Sequence, residues 1–211
     1  MRVRALTSLL LTALPLTALA QIQYHPLEVG GKPDKSKSKP VKLAAWSPKA
    51  SLTARLAPET PLFGWAIRPP KGFVATQKMD NGNQVYIFQG DPRPDNSAPM
   101  LWVVLGGRRH EESKKPQEEV LMEMYMIQLH QNRDNWKPSP MEYGTIQGRK
   151  FLRTHWSATE KLNDVTRHIH GAVYITLLNN GYAAVTLQDS DPGAKSTLDL
   201  LESSILTFHK R

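Results

Sequence analysis

The feature that most constrains this chain is a run of closely spaced strand patterns in its C-terminal half. Alternating apolar segments run from Met141 to Ile146, from Lys150 to Thr159 and from Val165 to Leu178. Asn179-Asn180-Gly181 follows, and then a fourth segment, Tyr182 to Gln188. Asn and Gly tolerate positive φ, so this tripeptide reads as a tight turn. Strands joined so closely pair antiparallel with their neighbours, because a parallel pair needs a long crossover. The N-terminal half shows the same habit. Trp65 to Arg68 reads as a strand ended by Pro69-Pro70, and Phe73 to Gln77 and Val85 to Gln89 flank the hairpin signal Asp80-Asn81-Gly82-Asn83. Gly90 to Pro99 is a polar loop with three prolines, and Met100 to Leu105 is an unbroken apolar run, expected as a central strand buried on both faces.

Two helices complete the pattern. Glu118 to Gln131 is expected as the longer one, with Glu118 and Glu119 complementing the dipole at its start. Its apolar residues, several of them Met, cover so wide an arc that it should lie flat on a sheet, the methionines acting as core filler. Asp191-Pro192 reads as an N-cap with Pro at the first helical position, opening a closing helix with Leu198, Leu201 and Ile205 on one side. The expected fold class is α+β: one antiparallel β-sheet sandwiched by helices, with no internal repeat.

The first twenty residues carry an address. Arg2 and Arg4 precede an apolar run through Leu9, Leu10, Leu11 and Leu14, and Ala18-Leu19-Ala20 offers small residues for signal peptidase. The run is too short to span a bilayer. The chain is expected to be exported, cleaved between Ala20 and Gln21, and periplasmic or extracellular. It contains no cysteine, so disulfides, Cys-ligated zinc and thiol nucleophiles are excluded and stability must come from a core. The net charge of +8 is unevenly placed. Between Gln21 and Leu62 seven Lys or Arg face three acids, whereas the remaining domain carries 18 basic and 16 acidic residues. A nucleic-acid-binding domain would carry its basic stripe on the folded part, so that function is set aside. The segment 21–60, with its Gly30 to Lys42 stretch rich in Pro, Lys and Ser, reads as a largely disordered basic linker, and 61–211 as the single domain. The linker suits weak electrostatic contact with an anionic membrane or wall surface.

Several landmarks match a known pattern. They are Trp65-Ala66-Ile67-Arg68-Pro69-Pro70-Lys71-Gly72-Phe73, then Asp134-Asn135-Trp136 at the end of the long helix, and Gly144-Thr145-Ile146-Gln147-Gly148-Arg149. Gly171-Ala172-Val173-Tyr174 and Ser204-Ile205-Leu206-Thr207-Phe208 complete the set. Over about residues 63–208 the chain resembles the PsbP-like superfamily, named for an extrinsic photosystem subunit and including many small exported bacterial proteins. The resemblance implies an antiparallel sheet between helices, usually without catalysis. These are packing motifs, and nothing in them carries over a photosystem role.

No nucleophile elbow, phosphate loop, His-Glu-x-x-His run or dinucleotide glycine pattern is present. Arg108, Arg109, Lys114 and Lys115 near the long helix's start are a weak anion candidate, and Glu111 and Glu112 between them favour a solvated loop. The best constellation is histidine. His168 and His170 are two apart on one strand and so share a face. Leu152, Trp156 and Ala158 on the preceding strand read as core, which turns Arg153, His155 and Ser157 the other way, toward the face of His168 and His170. His155 is expected directly opposite one of them, and three imidazoles are a candidate zinc or copper set. Arg153 and Arg167 would oppose a cation, so histidines that are solvated or covered by a helix are the preferred reading. The chain is thus expected to be a monomeric, non-enzymatic binding or accessory module without cofactor, its partner an unknown protein or envelope polymer. The alternatives are a metal-binding protein or metalloenzyme on the histidine face, and an envelope-associated structural protein held by its Lys-rich tail.

Overall fold

A computed structural model describes residues 43–107, 113–162 and 165–211. The signal peptide, the linker up to Lys42, and Arg108, Arg109, Glu111 and Glu112 of the anion candidate lie outside the described residues. In chain order the elements are β1 (Ala44–Ala45), α1 (Ala50–Thr53), β2 (Thr60–Leu62), β3 (Trp65–Ile67), β4 (Val74–Asp80), β5 (Asn83–Gln89) and β6 (Met100–Gly107). Then follow α2 (Gln117–His130), β7 (Asp134–Pro138), β8 (Glu142–Ile146), β9 (Arg149–Leu162), β10 (Val165–Leu178), β11 (Gly181–Ser190), α3 (Ala194–Ile205) and β12 (His209–Lys210). Asn81 and Gly82 have φ of 49° and 77°, the two positive values a two-residue hairpin turn needs.

Among the described residues nine strands form the main sheet, in the order β1-β8-β9-β10-β11-β6-β5-β4, with β7 also pairing β9. Every pairing is antiparallel except the two-residue contact of β1 with β8. The sheet has a core on each face. On one, Leu121, Met122, Tyr125 and Leu129 of α2 pack with Trp156, Ile169, Val173, Ile175 and Ala184. On the other, Leu201 and Ile205 of α3 meet Phe151, Ala172, Tyr174, Val185, Leu187 and Phe208. The expected α+β fold, an antiparallel sheet between helices, is the one observed. It explains why Val173 to Ile175 and Tyr182 to Leu187 are buried without alternation: both faces of these strands are roofed.

Three expectations need correction. The domain does not begin at residue 61. Residues 43–60 form a strap packed on it: β1 joins the main sheet, Leu56 is buried and bridges Pro70, and Lys49 reaches Asp199 of α3 at 2.6 Å. Two apolar anchors within a polar stretch dock it, Trp46 against the core under α3 and the buried Leu56. The landmark Asp134-Asn135-Trp136 belongs to β7, because Asn132 at φ 64° ends the helical path and the chain turns back along β9. Asp191 does not cap α3; the cap position is Gly193, and Asp191 turns toward His170 instead. A small second sheet, β12-β3-β2, also escaped notice, since its strands are two or three residues long.

Candidate functional site

The histidine face is the face of α3. The register pairs His155 with Ala172, Ser157 with His170 and Thr159 with His168. All of these side chains share one side of the sheet, as parity required, but His155 is not directly opposite either partner. It sits two residues along from the position facing His170. A register slides in steps of two without changing which face is buried, so parity alone could not place it.

Two of the three histidines meet a carboxylate. His155 Nε2 lies 2.6 Å from Glu202 Oε1, across the gap between β9 and α3. Tyr174, buried on β10, donates its hydroxyl to the same oxygen at 3.0 Å. Glu202 is one-quarter exposed and His155 nearly half, at 25% and 46% of their side chains, so the pair opens to solvent from the His155 side. Beside it, Arg153 donates Nε and Nη2 to Glu142 at 3.2 and 3.0 Å and lays its guanidinium over Trp46, 4.1 Å from the ring centroid. Trp46 meets Tyr174 edge-on at 6.0 Å. A Cβ on Gly144 would overlap the Trp46 ring, well inside van der Waals contact, so glycine alone leaves room for the strap's indole.

The electrostatics follow from this crowding. Burial works to raise the Glu202 pKa, but hydrogen bonds from His155 and Tyr174 and the charge of Arg153 prevail and hold it below the ordinary carboxylate range. Burial, and then the Glu202 charge, push the Tyr174 phenol well up, so it stays a donor. Burial opposes the charge of Arg153, and contact with Tyr174 and Glu142 more than offsets that.

His170 lies at the other end of the same face, its Nε2 3.2 Å from Asp191 Oδ2. Its register partner on β11, Asp189, is fully buried and gripped by Arg93 through a two-bond fork of 2.6 and 2.7 Å. Thr197 of α3 donates to the same carboxylate. His168 is exposed. Among the described residues no three His, Asp or Glu side chains converge closely enough to hold a metal ion. Glu202, Asp191 and Trp46 were the partners that sequence reasoning missed. One signal was available: Tyr174 shares the parity of His168 and His170, so a buried aromatic and a covering helix belonged on that side.

Among the described residues no helix is long and apolar enough to cross a membrane. No protein-family model matches the chain, and no curated protein sequence does. Solved structures do show similarity. The Ran-binding protein Mog1p of Saccharomyces cerevisiae aligns with a TM-score of 0.48 and 12% identity, covering 72% of this chain and 94% of that one. Cyanobacterial PsbP of Synechocystis sp. PCC 6803 aligns with a TM-score of 0.48 and 13% identity, covering 85% and 98%. LpqN of Mycobacterium tuberculosis, involved in cell envelope biogenesis, aligns with a TM-score of 0.43 and 12% identity, covering 78% and 96%. Cyanobacterial PsbP is therefore one of the structures to which this α+β chain is similar.

Proposed function

We propose that the chain is an exported accessory module of the periplasm or cell envelope, working by binding a partner rather than by catalysis. The observation that supports this reading is that the acidic side chains on the histidine face are each engaged by a neighbouring side chain. Glu202 answers His155 and Tyr174, Glu142 answers Arg153, Asp191 answers His170, and Asp189 answers Arg93. A catalytic centre keeps a nucleophile or base aimed at substrate; here these groups tie α3, the strap and the sheet together. Export rests on Arg2, Arg4, the apolar run and Ala18-Leu19-Ala20. The partner is an envelope protein or an anionic envelope polymer; nucleic acid is not a partner.

The test is retention of the immobilised, processed chain on its own envelope fraction at rising salt. A protein held in stoichiometric amount through about 0.5 M salt, where surface charges are screened within a few ångströms, is the expected result. Complete release at moderate salt would favour the Lys-rich segment resting on an anionic surface. Stoichiometric zinc or copper in the protein as purified would replace the reading with a metal-binding one at His155, His168 and His170.

A further inference from the structure

The outer edge of β4 stands apart from the rest of the sheet. From Val74 to Met79 every residue is exposed, with Val74 and Met79 at 66% and 64%, and among the described residues no helix roofs either side. Among the described residues no strand pairs with this edge. The devices that usually blunt an edge are scarce: no proline interrupts the strand, its register with β5 runs without a bulge from Val74–Gln89 to Asp80–Asn83, and Lys78 is its lone basic residue.

The backbone geometry says which groups are on offer. Asp80 and Asn83 flank a two-residue turn and so close the hairpin as a hydrogen-bonded pair. Bonds to β5 then alternate through residues 80, 78, 76 and 74, which leaves the N–H and C=O of Ala75, Gln77 and Met79 pointing outward. Three evenly spaced donor–acceptor pairs are what another antiparallel strand requires.

We propose that this edge pairs with the same edge of a second copy, antiparallel and two-fold about Gln77, so that two sheets continue as one. The seven residues are complementary to their own reversal. Gln77 faces Gln77 of the other copy, the large Met79 faces the small Ala75, Lys78 faces Thr76, and Asp80 faces Val74. No like charges stand directly opposite, the arrangement that would forbid pairing. All three outward residues meet as hydrogen-bonded pairs, and the contact is isologous and self-closing. One strand edge buries less than the roughly 1,200 Å² of a stable complex, so the dimer is weak and depends on concentration. This departs from the monomer expected from the sequence and is independent of the accessory-module reading.

The chain's lack of cysteine makes the test clean. In the full chain, Gln77→Cys places two thiols across the two-fold at a Cα separation of about 5.5 Å, within disulfide reach. Asp80→Cys puts the equivalent thiols roughly 20 Å apart, six residues of strand. Under mild oxidation at high protein concentration, Gln77→Cys should cross-link about tenfold faster or more. Sedimentation should show a concentration-dependent dimer that Gln77→Pro abolishes without unfolding the chain, because the N–H it removes faces away from β5. Hydrogen exchange at Ala75, Gln77 and Met79 should slow as concentration rises. Equal cross-linking at both positions, or a monomer at every concentration, overturns the proposal. So does slow exchange at these amides in the monomer, which would mean that another stretch of this chain covers the edge.

Discussion

The two edges of the main sheet are finished in opposite ways. At one, β1 pairs with β8 over just two residues, yet Trp46 immediately after it is set over Gly144, under Arg153 and against Tyr174. At the other, β4 runs seven residues with nothing over it among the described residues. Backbone pairing is therefore a poor guide to what secures an edge. The strap's hold is a side-chain seat, repeated nearby where Arg149 lies 4.7 Å over Trp65, whereas β4 depends on its hairpin turn and its ladder to β5.

The largest expected effect comes from removing the strap. A chain starting at Pro61 loses the Trp46 seat and buried Leu56. Replacing a large aromatic costs about 3 kcal/mol, and losing a buried Leu side chain adds roughly 2 kcal/mol. The thermal midpoint should fall by about 10–20 °C for a domain of this size. A midpoint within a few degrees of the intact chain would mean that the strap rests on the surface and that residue 61 is the true boundary.

Next in size is Gly144→Ala. Its Cβ would occupy the space of the indole, so the variant should lose about 2 kcal/mol by overpacking. The sharper measurement is the cycle with Trp46→Ala. Once the ring is gone, the same methyl has room, and the cost of Gly144→Ala should fall to near zero. Additive costs would break the claim that Gly144 exists to seat the strap.

Acid stability probes the polar half of the same seat. Because Glu202 is held below its ordinary value in the fold, the unfolded chain takes up a proton at a pH where the folded chain does not. Its contribution is therefore complete above about pH 5 and lost as pH falls through the folded value. Glu202→Gln should lower stability at pH 7 by about 1.5 kcal/mol, the low end for a hydrogen bond to a charged group, since Gln keeps an acceptor oxygen. It should also flatten the acid limb of the stability curve. An unchanged acid limb would show that Glu202 is not coupled to His155 and Tyr174 in solution.

What was legible in the sequence was local. The β4–β5 turn announced itself through Asn81-Gly82, the β10–β11 turn through Asn179-Asn180-Gly181, and α2 through its length and its acidic start. The strands β10 and β11 were found nearly to the residue because their apolar runs are long. What was not legible depended on distant partners. The register of β9 on β10 leaves no local trace, so His155 was set opposite a histidine when it faces Ala172. The strap looked like linker because its aromatic anchor, Trp46, is held by residues about a hundred positions away, Gly144 and Arg153. Asp191 followed by Pro carries the chemistry of a cap, but tertiary contact with His170 took the side chain first. The second core, under α3, was not legible from β9, where Arg153, His155 and Ser157 are polar. Its apolar content comes instead from Ala172, Tyr174, Val185 and Leu187 on neighbouring strands.

The smallest effect is expected at the open edge. Met79→Ser and Val74→Thr each change a side chain that is about two-thirds exposed, and surface substitutions of this kind stay within about 0.5 kcal/mol. The fold should register neither, in contrast to several kcal/mol for one indole at the opposite edge. Gly82→Ala is the control that locates what β4 does depend on. Gly82 sits at φ 77°, where a Cβ is strained, and its replacement should cost about 1 kcal/mol or slightly more. If instead Met79→Ser destabilises the chain as much as Gly82→Ala, then the side chains of β4 are packed against something in solution and the edge is not open. That result would need to be read at two protein concentrations. A cost that grows with concentration would come from loss of the paired edge of a second copy, and a constant cost from a contact within the chain.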